Sequence, residues 1–346
     1  MLSLSTNAVA AKARSIYGGR LKQEDYEELL KKRTVGEVAA YLRQSTPYKE
    51  VLAEVRENAI HRGQLEHLLR KDFFFRCQRL ARYAGGKQQE FYRFCVRKDE
   101  IDVILNRIRM LNSELYEEFA GDLPLYLEKY VRFDLLKLMK CNNFDELLSV
   151  LEHTGYDEVL KPFKPVNAKQ KINYVGCERA LNQYYYSWLF ETIKKSFSGK
   201  TRKELLTIFE SEVELANISK IYRYKKFFET DAKEILSSLT QTNQRMSANF
   251  LRRLAEAKDD QELLRILANS SYHMLVDDAE YVFIEYYADK IKYHLSHRYM
   301  RFSTSAPLVF TTFVVTQNLE IENLINIIEG VRYGVPAESI EKMLIY

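Results

Sequence analysis

Glycine and proline are scarce in this chain, 12 and 6 in 346 residues, so the tight turns that many-stranded folds depend on are in short supply. No run alternates apolar with polar residues for long enough to need a sheet. The expected fold class is therefore all-α. Cysteine is equally sparse: Cys77, Cys95, Cys141 and Cys177 show neither close pairs nor metal-ligand spacing, which argues against a disulfide scaffold and for a reducing cytosol. Long apolar runs are missing too. The longest, such as residues 308–315, fall well short of a bilayer span, and the N-terminus lacks the apolar core of a signal peptide. The chain is expected to be soluble and intracellular, with any membrane connection running through a partner. Nor is there an excess of one charge: 52 Lys and Arg face 48 Asp and Glu, and a net +4 with both signs interspersed is not the profile of a dedicated nucleic-acid binder.

What the chain does have is repetition. A helix-opening phrase occurs three times, led by Thr34, Asn143 and Asp259, each a good N-cap residue with a glutamate (Glu37, Glu146, Glu262) three places on to close a capping box. Apolar residues follow at helical spacing: Val35, Val38, Ala39 and Leu42 in the first copy, Phe144, Leu147, Leu148 and Leu151 in the second, then Leu263, Leu264 and Leu267. Each stripe ends at a turn that carries a tyrosine, Tyr48, Tyr156 or Tyr272. A second phrase places Glu100, Glu214 and Glu320 before Ile101, Leu215 and Ile321, again with a helical follower at Ile104, Ile218 and Leu324. A third sets Glu178, Leu181, Tyr184 and Tyr185 parallel to Glu280, Phe283, Tyr286 and Tyr287, with a fainter echo at Glu66, Leu69 and Phe73. The order of the phrases is the same in every third. A period near 110 residues is too long for a solenoid unit and suits a small helical domain. Three helical repeats are expected at 1–115, 116–228 and 229–346, with boundaries near residues 112–123, around Gly121 and Pro124, and near residues 229–245. Gly334 is placed to end a helix and Pro336 to sit in the first turn of another, which carries Ile340, Leu344 and Ile345.

Motifs with chemical content are thin. Ser198, Gly199, Lys200 and Thr201 carry the end of a phosphate-binding loop, but position 194, where its first glycine belongs, is a lysine, and the preceding residues are aromatic and helix-like. They are read as a turn between helices. His294 and His297, three apart, share a helical face but lack a third ligand in a basic neighbourhood, and His61 with His67 fares no better, so no metal site is assigned. The acid pairs Glu117 with Glu118 and Asp277 with Asp278 lie in polar contexts. No serine, cysteine or threonine sits in a nucleophile motif. Catalytic, cofactor-binding and metal residues are therefore none, and no cofactor is expected. Three runs interleave cations with aromatics, at residues 70–76, 222–228 and 297–302. Such runs stack bases of single strands in some proteins, but they equally describe helices whose aromatics are core and whose cationic stems lie over it.

Three repeats, each with a capped helix ending in a tyrosine turn, a Glu-Leu-Tyr-Tyr helix and a later Glu-Ile helix, resemble the central-stalk C subunit family of archaeal and bacterial V/A-type rotary ATPases, known as the d subunit in the vacuolar enzyme. The closest echoes are residues 41–48, 178–186 and 319–328 followed by Gly334 and Pro336. The first third departs by one extra residue before Tyr48 and by Phe73 in place of the paired tyrosines. The resemblance implies three similar helical domains in a pseudo-threefold, funnel-like arrangement, and a noncatalytic adaptor between the rotating axle and the membrane rotor ring that transmits torque for ATP-coupled proton or sodium transport. Its implied partners are the axle subunits and the rotor ring, its location the cytoplasmic face of a membrane complex, and nucleic acid is not among its ligands. Interface residues are unknown at this stage. The rival readings are a helical nucleic-acid-binding or scaffold protein that uses the basic aromatic runs and, more weakly, an enzyme whose site the sequence does not announce.

Overall fold

The computed structural model describes residues 2–57, 59–113, 124–167, 170–228, 230–241, 248–274, 276 and 283–346. Among these residues every regular element is helical and no strand occurs, so the fold is all-α. The expected boundary around Gly121 lies outside the described residues, as do Glu117, Glu118, Asp277, Asp278 and Glu280. The chain forms two compact units: Met1–Gly86 together with Ala257–Tyr346, and Lys87–Glu256.

The first unit contains α1 (Leu2–Gly18), α2 (Gln23–Leu30), α3 (Val35–Ser45) and α4 (Arg62–Ala81). The second contains α5 (Phe94–Asn112), α6 (Leu135–Lys140), α7 (Phe144–Val150), α8 (Tyr156–Leu160), α9 (Tyr174–Ser196), α10 (Gly199–Phe227), α11 (Ala232–Ser238) and α12 (Ala248–Glu256). The chain then returns to the first unit with α13 (Asp260–Ala268), α14 (Ile284–Phe302), α15 (Ala306–Tyr333) and α16 (Ala337–Glu341).

The three capped helices form where the sequence places them, and they share one bonding scheme. Thr34, Asn143 and Asp259 each accept the N–H of the glutamate three residues on, at 3.1, 2.9 and 2.8 Å. The return bond differs from a standard capping box. Each glutamate takes the N–H of the residue before the cap, Arg33, Asn142 or Lys258, at 2.9, 2.8 and 2.7 Å. With the cap residue extended at φ −137°, −150° and −148°, it is the preceding amide that faces the carboxylate. The end of each phrase is also built alike. A hydroxyl two residues before the tyrosine, on Thr46, Thr154 or Ser270, donates to the carbonyl of Leu42, Leu151 or Leu267 and accepts the tyrosine N–H. This local turn aims the tyrosine ring inward at Tyr48 and Tyr156, which are fully buried.

In the first unit α15 is the core helix. Leu308, Val309, Phe310, Phe313, Leu324, Ile327 and Ile328 are sealed from solvent, and Thr311, Thr312 and Thr316 satisfy their buried hydroxyls on carbonyls four residues back. Leu29, Val38, Leu42, Leu52, Leu65 and Leu69 pack against its C-terminal half. The helix stops at Gly334, whose φ of +66° only glycine adopts without strain, and Val335 closes the end by donating to the Gly330 carbonyl at 2.9 Å. Pro336 is the cap of α16 and lies one residue ahead of the first-turn position expected for it. A side chain at Gly330 would lie 2.5 Å from Ile340, so the bare glycine sets the approach of α16 to α15. In the second unit α5 packs on α9, and Phe91, Phe94, Phe197 and Phe209 form an edge-on aromatic cluster at one end, with centroids 5.0 Å apart for Phe91 and Phe197 and 5.3 Å for Phe94 and Phe209.

Candidate functional site

The motifs that resembled chemistry resolve into structure. Ser198 caps α10 after the short break that follows α9, Gly199 turns the chain at φ +55°, and Lys200 reaches towards Glu204, at 3.9 Å. That is the helix-to-helix turn expected. His297 on α14 pairs its Nδ1 with the Tyr17 hydroxyl at 3.0 Å. Burial first, then the neighbouring Arg301, Arg20 and His294, push the His297 imidazole below its usual pKa. Among the described residues no three His, Cys, Asp or Glu side chains converge as metal ligands. The four cysteines are free thiols, and burial drives that of Cys177 up to about 12.

The basic aromatic runs divide between core and surface. In the first, Phe74 and Arg76 are buried. In the second, Tyr222 is buried while Phe227 and Phe228 stand out at the end of α10. In the third, Met300 is buried and Phe302 is exposed.

The constellation the chain does build is a pair of buried carboxylate pins, both made from second-phrase glutamates. Glu100 on α5 is 1% exposed and accepts the Tyr156 hydroxyl at 2.8 Å and the Arg132 backbone N–H at 2.8 Å. The Arg132 guanidinium pairs with the same carboxylate at 3.0 Å, lies 4.8 Å over the Tyr156 ring and donates to the Thr154 carbonyl at 3.0 Å. Glu320 on α15 repeats the plan. Its carboxylate accepts the Tyr48 hydroxyl at 2.7 Å and the Leu21 N–H at 2.9 Å. Arg76 lies 4.9 Å over the Tyr48 ring and donates to the carbonyl of Pro47, but its ion pair is with Asp72 at 2.6 Å and its other bond is to Gln317. Among the described residues Glu320 therefore has no salt-bridge partner of its own, and burial raises its pKa despite the two hydrogen bonds that pull it down. Burial, with Glu320 beside it, likewise holds the Tyr48 phenol well above its ordinary range.

Each pin joins distant stretches of chain: Glu100 holds a tyrosine 56 residues further on, and Glu320 holds one 272 residues back, closing the end of the chain onto its beginning within one unit. Glu214 is buried to 1% at the corresponding place on α10. Three residues beyond it, Asn217 exchanges two hydrogen bonds with the backbone of Thr240, both 3.0 Å. Asn323, three beyond Glu320, does the same with Ile345 at 2.8 and 2.9 Å.

The repeated position of the three glutamates and of the tyrosines is visible in the sequence; that they pair with each other is not. Nothing in the phrases marks Arg132, whereas the Asn spacing shared by Glu214 with Asn217 and Glu320 with Asn323 is a usable signal. Tyr186 and Glu212, bonded at 2.9 Å, are a further pair that sequence spacing did not bring together. Two open clefts also lie at matching places along the recurring phrases. One of about 600 Å³ is lined by Val51, Leu68 and Lys71, and one of about 500 Å³ by Val159, Ala180 and Gln183 at matching places after the tyrosine and along the third phrase. Neither lining includes Glu100 or Glu320. The pins, whose carboxylates are enclosed by their donors, suit locking helices together.

Comparison with known proteins places these features in context. The family model described as ATP synthase (C/AC39) subunit matches residues 9–343. The C subunit of the A-type ATP synthase of Archaeoglobus fulgidus is 22% identical over 340 residues, covering 97% of this chain and 95% of that protein. The C subunit of the A-type ATP synthase of Methanosarcina barkeri is 24% identical over 218 residues, covering 62% of this chain and 57% of that protein.

Proposed function

The chain belongs to the ATP synthase (C/AC39) subunit family, and from that premise we propose that it is a noncatalytic central-stalk adaptor, linking the rotating axle of a V/A-type ATPase to its membrane rotor ring. In this reading it transmits torque for ATP-coupled proton or sodium transport and works at the cytoplasmic face as a peripheral member of the complex. Three repeats, at 1–115, 116–228 and 229–346, in pseudo-threefold, funnel-like order belong to the same proposal.

The observation that carries it is the pair of buried pins. A part that passes torque needs stiffness between distant stretches of chain, and Glu320 with Tyr48 and Leu21 ties α15 to residues nearly the whole sequence away. An unfilled donor or acceptor at such a buried site costs about 1–3 kcal/mol, so each pin resists being pulled open. No helix among the described residues is long and apolar enough to cross a membrane, which is compatible with attachment through a ring of other chains.

The test is affinity isolation of the tagged chain from detergent-solubilised membranes of its source. Axle and rotor-ring subunits in stoichiometric amounts are the expected result, together with no ATP hydrolysis by the isolated chain. Recovery without those subunits, or ATP turnover at enzyme rates by the chain alone, overturns the reading.

A further inference from the structure

Acids run through most of this chain, 48 in 346 residues, yet residues 1–23 and 290–319 contain none. The first unit brings these two acid-free stretches together. Arg14 on α1 donates to the carbonyls of Met300, at 2.9 Å, and Ser303, satisfying acceptors that the C-terminal end of α14 leaves open. One turn later the Tyr17 hydroxyl meets Nδ1 of His297 at 3.0 Å. Arg20 lies 4.3 Å over the Tyr17 ring and donates to the Tyr17 carbonyl at 3.2 Å. On α14 itself His294, His297 and Arg301 follow at intervals of three and four residues and so share one stripe of the helix. Arg20 and His297 are half-buried, while His294 and Arg301 are exposed. Four basic groups thus gather at one seam, and among the described residues none of them has a carboxylate within ion-pair distance. After burial, the influences that hold the His297 imidazole down are Arg301, Arg20 and His294, every one of them basic. Arg20 and Arg301 act on Tyr17 as well, which puts both guanidiniums near the same hydroxyl and imidazole. The acid that Arg20 does act on, Glu320, is already enclosed by the Tyr48 hydroxyl and the Leu21 N–H.

We propose that Arg20, His294, His297 and Arg301 form a binding site for a phosphate-bearing anion at the seam between α1 and α14. Like charges held together repel, and an anion seated among them removes that repulsion. Guanidiniums present forked donors that match phosphate oxygens, and with Nδ1 of His297 engaged by Tyr17, Nε2 is the ring nitrogen that turns to the ligand. A carboxylate brings one charge and two oxygens. A phosphate group brings up to two charges and three terminal oxygens, the better match for two arginines and a histidine. Arg14 and Tyr17 are positioning residues, since they fix α1 against α14 and hold the imidazole in place. The site is independent of the adaptor role, so its test uses the isolated full-length chain.

The probes are inorganic phosphate and pyrophosphate, titrated at fixed ionic strength with sodium chloride as the control. Histidine ring signals are followed by NMR and assigned with His294→Gln and His297→Gln. Expected is a saturable shift of the His294 and His297 signals and a rise in the His297 pKa, because a bound anion favours the protonated ring. Arg20→Gln with Arg301→Gln is expected to weaken binding about tenfold or more. Lys203→Gln with Lys233→Gln removes the same charge from exposed places in the second unit and is expected to change binding little. Circular dichroism and melting separate lost binding from lost folding, and Arg20→Lys with Arg301→Lys, expected to weaken binding several-fold by losing the forked donors, carries the readout if the glutamine pair does not fold. Co-sedimentation with vesicles containing phosphatidic acid, absent with phosphatidylcholine alone and lost in the arginine variants, assigns the phosphate to a lipid headgroup. Pyrophosphate binding without co-sedimentation assigns it to a soluble anion. The same histidine shifts with chloride alone, no saturable response to either phosphate probe or to the vesicles, or equal weakening by the two glutamine pairs overturns the proposal.

Discussion

Removing the Tyr48 hydroxyl leaves the Glu320 carboxylate with a single direct donor among the described residues, the Leu21 N–H, in a place with almost no access to water. Tyr156→Phe makes the same cut at Glu100, but there the Arg132 guanidinium and backbone N–H stay in place. The two substitutions are chemically identical, so the difference between them isolates the ion pair. Tyr48→Phe is expected to lower unfolding free energy by about 1–3 kcal/mol and Tyr156→Phe by about 1 kcal/mol or less, measured by urea denaturation. The reverse order would show that Arg76, stacked over Tyr48, compensates Glu320 more than its distance suggests. His297 gives a pH readout at the same scale. Its folded pKa lies below the ordinary 6.5, so the unfolded chain takes up the proton first, and the stability present above the unfolded value is lost as pH falls through the folded one. Wild type should therefore lose melting temperature relative to His297→Gln as pH drops from about 7 towards about 5. A constant gap across that range would mean that neither burial nor the cluster of Arg301, Arg20 and His294 lowers the His297 pKa.

At the scale of elements, what could be read in advance depended on how local its cause was. The capped helices were legible because cap, glutamate and tyrosine turn all act within about 14 residues, where helix geometry alone fixes who meets whom. Even there one detail needed coordinates: the glutamate serves the amide before the cap. The pins were half legible. A recurring Glu100, Glu214 and Glu320 marks a repeated position, but nothing in a pattern of helical periods states the register between α15 and a turn 272 residues away. Arg132 precedes its tyrosine in the sequence and Arg76 follows its own, so no alignment of phrases brings them together. The close approach of α16 to α15 is another such case, and it is testable. Gly330→Ala puts a methyl 2.5 Å from Ile340 and is expected to lower the melting temperature by several degrees despite alanine's better helix propensity, with Ile340→Val restoring part of the loss. A neutral or stabilising Gly330→Ala would show that α16 gives way freely.

For the whole molecule the sequence supplied more than its motifs did individually. No single phrase names a function, yet order, length and triplication pointed to the family that the match across residues 9–343 establishes. The enclosed pins tie distant stretches of the chain together, as the proposed adaptor role requires. Residues 1–86 and 257–346 form one compact unit around α15, so the two ends of the chain are bound into one body. The most direct measurement of the adaptor role follows from that. Membranes depleted of this chain are washed and assayed for retained ATP-hydrolysing head. The account predicts that the head moves to the soluble fraction and returns to the membrane when the wild-type chain is added back. Head that stays on the membrane, still coupling ATP hydrolysis to ion movement without the chain, would contradict it.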